Sequence, residues 1–304
     1  MALGNAPKDF KYRYNWNAPI IASPHNPSVI YHAGNVVFKT IDEGINWQVI
    51  SPDLTKNEKE KQGPGGTPIT NEAAGGENYN TIMYLTESPH EKGVMYAGTD
   101  DGLIHITKDE GGSWTDITPE NMPEGIINYI EISPHDPAKA YAVLMRYKFQ
   151  DLKPYIYKTE NYGKDWNIIS DSIIEAHTFA RVVKEDPKVP GLLYAGTETG
   201  LFISYNDGND WHRMQLNLPV VPINDLTIRN NDLIAATAGR SFWILDDLNP
   251  IQSVLKLDQE ISLLEPRETP LYIGGRSASN STLGQNPNSG VMIDYFLPAE
   301  MDSS

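Results

Sequence analysis

Carboxylates stand beside turn residues at several points of the chain. Asp100 and Asp101 precede Gly102, Asp151 closes the run Arg146-Tyr147-Lys148-Phe149-Gln150, and Glu198 lies in Thr197-Glu198-Thr199-Gly200. Two carboxyl groups flanking a glycosidic bond hydrolyse it, with retention at about 5–5.5 Å separation and inversion at about 6.5–9.5 Å. Asp100, Asp101, Asp151 and Glu198 are therefore the catalytic candidates, with Asp225 a further carboxylate. Asp and Gly also favour turns for purely local reasons, so Asp100-Asp101-Gly102 reads first as a plain turn. Binding without chemistry needs other groups. Tyrosine faces suit sugar stacking, amides hydrogen-bond hydroxyls, and a guanidinium clamps an anion bidentately. Tyr79, Asn128, Tyr147, Asn224 and Arg240 are the ligand-binding candidates, although Arg240 is expected to pair with a carboxylate such as Asp246. Tyr31, Tyr96, Tyr141 and Tyr194 fall in strands and are expected in the core.

Other chemistries find no support. His25, His90 and His135 each follow Ser-Pro, and this repetition puts each in the same turn of a separate unit rather than in one metal site. The sequence has no phosphate-cradling loop, dinucleotide glycine pattern, zinc motif or Ser-His-Asp signature, so neither cofactor nor metal is expected. The chain has no cysteine, which excludes disulfides and thiolate sites. A net charge of −16 argues against nucleic acid and anionic membrane surfaces, and no apolar run approaches a membrane span.

The elements that position these residues are announced by one eight-residue pattern, Ser/Thr-x-Asp/Asn-x-Gly-x-x-Trp. Its copies place Thr40, Asp42, Gly44 and Trp47; Thr107, Asp109, Gly111 and Trp114; Thr159, Asn161, Gly163 and Trp166; and Ser204, Asn206, Gly208 and Trp211. Each copy reads as a hairpin turn. The hydroxyl and the Asp or Asn oxygen accept backbone N–H groups, Gly takes the left-handed conformation, and Trp opens the next strand. Asn keeps the acceptor and loses only the charge, so the role is structural. The tryptophans lie 67, 52 and 45 residues apart, the last spacing being that of a bare four-stranded unit.

The pattern predicts an all-β propeller of four-stranded antiparallel blades over 1–274, with blades at about 17–55, 78–118, 126–170, 177–216 and 222–250. In the fifth, Asp246 takes the box Asp position, while Gly and Trp are missing. Residues 10–16 and 261–273 are expected to supply strands to a further blade. The long loop 56–79 reads as functional or disordered. Residues 275–290 have linker composition, and 291–304 read as a strand of a further, incomplete β domain. Residues 1–10 lack the apolar stretch of a signal peptide, which leaves a cytoplasmic protein or a piece of a longer exported one; the lone strand expected at 291–304 favours the second.

The eight-residue pattern resembles the Asp-box of the bacterial neuraminidase repeat, found in propellers of the sialidase, sortilin and xyloglucanase type. The runs Tyr14-Asn15-Trp16-Asn17-Ala18-Pro19, Ser51-Pro52-Asp53-Leu54-Thr55, Pro154-Tyr155-Ile156-Tyr157-Lys158-Thr159 and 239–247 extend the likeness. Together they resemble the large bacterial sortilin-type, glycosyl-hydrolase-like propeller proteins. The likeness departs at Ala238, where that family often has histidine, and the Phe/Tyr-Arg-Ile-Pro start of sialidases is missing. The resemblance implies an extracytoplasmic protein and a non-catalytic propeller that captures polysaccharide or protein, flanked by other domains of its parent chain. The alternatives are a glycoside hydrolase similar to xyloglucanases and an assembly scaffold similar to photosystem assembly factors.

Overall fold

Val, Ile and Tyr dominate the central strands of every repeat, and side chains that alternate between two faces require both faces to be covered. The chain meets that requirement by stacking sheets. The computed structural model describes residues 6–69, 76–173, 177–254, 261–269 and 290–297. Four sheets have four antiparallel strands in up-and-down order. The first holds β1 (Ile20–Ala22), β2 (Ile30–Ala33), β3 (Val37–Thr40) and β4 (Gln48–Val49); the second holds β5 (Ile82–Glu87), β6 (Met95–Thr99), β7 (Ile104–Thr107) and β8 (Thr115–Asp116). The third holds β9 (Ile126–Ile132), β10 (Ala140–Arg146), β11 (Asp151–Thr159) and β12 (Asn167–Ile168); the fourth holds β13 (Ala180–Glu185), β14 (Leu193–Thr197), β15 (Leu201–Ser204) and β16 (His212–Arg213). A fifth sheet has three strands, β17 (Ile223–Arg229), β18 (Asp232–Thr237) and β19 (Phe242–Leu245), and is followed by the short helix α1 (Asn249–Ser253).

First strands of successive sheets lie side by side, β1 by β5, β5 by β9, β9 by β13 and β13 by β17. The sheets are thus blades around a channel. Apolar layers fill the spaces between them. Each layer follows one rule of size. The second strand sends a tyrosine (Tyr31, Tyr96, Tyr141, Tyr194) toward the next blade, and an alanine (Ala97, Ala142, Ala195, Ala235) toward the previous one. All four tyrosines and all four alanines are buried, because a bulky residue meets a small one across each layer.

Polar latches repeat with the same period. In the second blade Thr107 Oγ1 accepts the Gly111 N–H at 3.0 Å, and Asp109 Oδ1 accepts the Ser113 N–H at 2.8 Å. Asn161 and Asn206 make the second bond equally well, to the N–H groups of Asp165 and Asp210, both at 2.9 Å. Gly111, Gly163 and Gly208 have φ near +81 to +91° and rest against Ile50, Ile117 and Ile169 of the preceding blade. A Cβ there would strike that isoleucine. Trp114, Trp166 and Trp211 donate their indole N–H to the carbonyls of the same three isoleucines, at 2.9, 2.9 and 2.7 Å. On the same rim as these turns His25, His90 and His135 reach the next blade. Each Nε2 donates to a carbonyl, of Ser88, Ser133 and Asp186, at 2.8, 2.9 and 2.7 Å. A carbonyl only accepts, so each Nε2 carries its hydrogen.

The chain ends differ from expectation. Residues 10–16 form no strand. They lie across the first blade, where Tyr14 stacks on His32 at 5.3 Å and Tyr12 meets Phe38 edge-on at 5.0 Å. Strand register puts Asp247, not Asp246, in the box position of the fifth blade. Leu245 lies opposite Leu233 as Ser204 lies opposite Leu193, and Asp247 then accepts the Asn249 N–H at 3.1 Å. Within 261–273 the described strand is β20 (Ser262–Leu263). It pairs with β21 (Tyr295–Phe296) in a two-stranded ribbon, and Arg267 ties this segment to Asp232 at 2.6 Å. Residues 275–289 of the expected linker, residues 70–75 of the long loop and residues 298–304 lie outside the described residues.

Candidate functional site at the channel mouth

The loops that follow the second strands and those that join successive blades meet at one rim, where side chains from four blades knit them together. Asp100 and Asp101 sit in the turn after β6, and both are buried. Asp100 accepts the Thr81 N–H at 2.8 Å and the Thr81 hydroxyl at 2.9 Å. Asp101 accepts from the Asn80 amide at 2.6 Å and from the Lys56 N–H at 2.9 Å, and it takes the Thr99 hydroxyl as well. Burial pushes both carboxyls above the ordinary range, and the Asp101 charge raises Asp100 further.

Beside them runs a second buried network. Arg13 is only 2% exposed. It donates to Asp53 Oδ2 at 2.7 Å, to Thr55 Oγ1 at 3.0 Å and to the Asn80 carbonyl at 3.1 Å. Asn35 donates to the same Asp53 oxygen at 2.9 Å, and Gln62 donates to Asn80 Oδ1 at 2.9 Å. Burial works to raise Asp53, but its bonds from Thr55, Arg13 and Asn35 outweigh it and hold the carboxyl below its usual value. The first part of the long interblade loop is thereby pinned to blades one and two.

Asp151, Glu198 and Glu124 are also engaged, whereas Asp225 is exposed on β17 and accepts the adjacent Leu226 N–H at 2.8 Å. Asp151 takes Arg146 and the Tyr155 hydroxyl, the latter at 2.8 Å. Burial would raise it, but those partners and the Lys153 N–H hold it below the ordinary range. Glu198 receives two N–H groups of Arg181, at 2.6 and 2.8 Å. Glu124, between β8 and β9, receives Lys61 at 2.7 Å and the Tyr79 hydroxyl. Burial opposes the ionised form of Glu124 too, and the bonds from Lys61 and Tyr79 again win. Tyr79 is consequently a buried strut rather than an open platform.

The other binding candidates divide. Asn128 donates to the Arg181 carbonyl at 2.6 Å. Asn224 is exposed on β17. Arg240 is exposed in the β18–β19 turn, where it donates to the Gly239 carbonyl at 3.2 Å rather than to Asp246. Tyr147 is 42% exposed and stacks on Phe179 with ring centroids 5.7 Å apart. The Arg181 guanidinium lies 5.0 Å from the other contact of that stack, the Phe179 ring centre.

The sequence reading missed the partner of Tyr147. Trp16 is 68% exposed and donates its indole N–H to Glu77 Oε1 at 2.6 Å. The other Glu77 oxygen receives Lys148 at 3.1 Å. Two open aromatic residues of the rim are thus joined by the chain Trp16, Glu77, Lys148, Tyr147. A tryptophan outside the box pattern, in a run that forms no strand, was the available signal. A groove of about 790 Å³, lined by neither Trp16 nor Tyr147, lies between Asp151–Tyr155 and the loop carrying Asp171 and His177. Among the described residues no group of three or more His, Asp or Glu side chains is arranged to hold a metal, and no helix is long and apolar enough to cross a membrane.

Stacked four-stranded sheets around a channel define a β-propeller, and solved structures share it. The chain is similar to an ancestral GH74 enzyme, at 17% identity and TM-score 0.54 over 79% of this chain and 30% of that one. It is similar to the GH74 xyloglucanase from Xanthomonas campestris, at 16% and 0.56 over 75% and 36%. It is also similar to YCF48 bound to D1 peptide, at 16% and 0.50 over 78% and 65%. Likeness at such identities establishes the fold. The chain spans about a third of the two GH74 structures. No protein-family model and no curated protein matches it.

Proposed function

We propose that this propeller is a non-catalytic recognition module that holds a polysaccharide across the channel mouth, on Trp16 and Tyr147. The carrying observation is the division of labour at the rim. Two aromatic rings stand open and are held by the Glu77–Lys148 bridge. Asp100, Asp101, Asp151 and Glu198 are all committed to partners within the protein. A glycosidase needs one carboxyl free to protonate the leaving oxygen and another facing the sugar. A binding site needs flat apolar faces edged by hydrogen-bonding groups, which Glu77, Lys148 and Arg181 provide.

This reading extends to the setting. The module belongs to a longer exported protein of the sortilin-type, glycosyl-hydrolase-like kind, and its other domains flank the propeller. The support is the family resemblance of the runs around Trp16 and 239–247, together with the share of the GH74 structures that the chain spans.

The test is affinity electrophoresis through plant, algal and microbial polysaccharides, with an assay for new reducing ends in the same mixtures. Retardation without new ends is expected. Trp16→Ala and Tyr147→Ala are each expected to weaken binding about tenfold, equivalent to about 1.4 kcal/mol. New reducing ends abolished by Asp100→Asn would replace this reading with glycoside hydrolysis. Silence on every glycan, with capture of a peptide at the same two rings, would replace it with a scaffold.

A further inference from the structure

Register makes the five blades directly comparable, and one face breaks the pattern. Val37, Ile104, Ile156 and Leu201 occupy the same place in the third strands of the first four blades. Each points at the following blade and is buried, at 0, 0, 0 and 5% exposure. Phe242 holds that place in the fifth blade, opposite Ala236, and is 74% exposed. Two residues on, Ile244 is 58% exposed where Ile106 and Ile203 are covered. Ile234 stands where the other blades carry their buried tyrosine. Among the described residues the fifth blade has no fourth strand beside β19, whose edge is unpaired there.

We infer that this face is the seat of a further four-stranded blade, whose second strand sets an alanine or glycine against Ile234. Four existing interfaces are the template. Every blade that covers another presents Ala97, Ala142, Ala195 or Ala235 at that point. The first blade of a second copy does not fit that template. It carries His32 where the others have alanine, and Tyr14 is stacked on it. A head-to-tail dimer would bring the rings of His32 and Tyr14 into the space one methyl group fills elsewhere. The inference is independent of what the channel mouth binds.

The test uses the whole chain and a fusion in which residues 177–216, a complete blade carrying Ala195 and Trp211, are repeated after residue 304. In the unfused chain, Phe242→Lys is expected to leave the melting temperature unchanged and to reduce binding of the dye 1-anilinonaphthalene-8-sulfonate severalfold. The fusion is expected to raise the melting temperature and to suppress dye binding as far as Phe242→Lys does. Ala195→Trp in the appended copy is expected to abolish both effects. A fusion that melts and binds dye as the unfused chain does would overturn the inference. An unfused chain that unfolds on Phe242→Lys would show that its own residues already cover the face. A dimer in analytical ultracentrifugation, dissolved by Phe242→Lys, would show that a second copy covers it. Either result overturns the inference.

Discussion

Arg13 shows how one side chain can hold a rim together. Its guanidinium is out of water and spans the N-terminal segment, the loop after the first blade and the start of the second. Asp53 supplies the opposing charge at 2.7 Å. Removing one member of a buried pair leaves the other charged and unsolvated, which costs about 3–5 kcal/mol. Asp53→Ala is therefore expected to destabilise the protein by that amount, read as a fall in the denaturant midpoint at constant slope. A loss below 1 kcal/mol would mean that Arg13 reaches solvent. Trp16, three residues on, is placed by this same anchor, so Asp53→Ala is also expected to weaken ligand binding at the rim. The sequence showed an arginine within an aromatic run, but its partners lie 40 and 67 residues away and no local pattern points to them.

At the scale of the element, the second, third and fourth blades are each fastened to the preceding one by the same indole bond, so copies can be compared within one molecule. Trp211 is 6% exposed and donates to the Ile169 carbonyl. Trp47 occupies the same position in the first blade, is 41% exposed, and its Gly44 touches its own ring rather than a preceding isoleucine. Trp211→Ala is expected to cost about 3–5 kcal/mol, as for a large core truncation. Trp47→Ala is expected to cost about 1 kcal/mol or less. Equal losses in thermal unfolding would show that the turn itself, rather than the interblade contact, needs the ring. The turn geometry was readable from residue types alone, since hydroxyl, Asx side chain and glycine act within five residues of each other. The indole's interblade acceptor was not, because it belongs to another repeat.

For the whole molecule, two sets of carboxyls pull stability in opposite directions with pH. Asp100, Asp101 and Glu131 are raised in the folded state, chiefly by burial. The folded protein holds protons on them that the unfolded chain releases, so stability rises as pH falls through their raised values. Asp53, Asp151, Asp207 and Glu124 are lowered by their partners. Their contribution is present above the ordinary carboxylate range and is lost as pH falls through their lowered values. The melting temperature is therefore expected to rise as pH falls through the raised values of the first set and to fall again as pH drops below the ordinary carboxylate range and the second set takes up protons. Asp100→Asn removes a buried carboxyl whose pKa the Asp101 charge raises further, so it is expected to flatten the upper limb, raising stability on the alkaline side and leaving it unchanged where Asp100 is already protonated. An unaltered upper limb in that variant would place the titration elsewhere.

The repeat, the all-β class and the propeller were legible from residue order alone. These follow from short-range chemistry, namely the alternation of strand residues and a turn whose hydrogen bonds close within one segment. Residue order also offered the right pool of rim residues, since a turn beside a second strand must end at one rim or the other. The tertiary structure alone decided which of them stand open. Tyr79 and Tyr147 look alike in sequence, yet one is driven against Glu124 and the other lies on Phe179 facing solvent. Trp16, Glu77 and Lys148 acquire meaning only where segments 61 and 71 residues apart meet. Burial and pairing are properties of that meeting, and no window of the chain contains it.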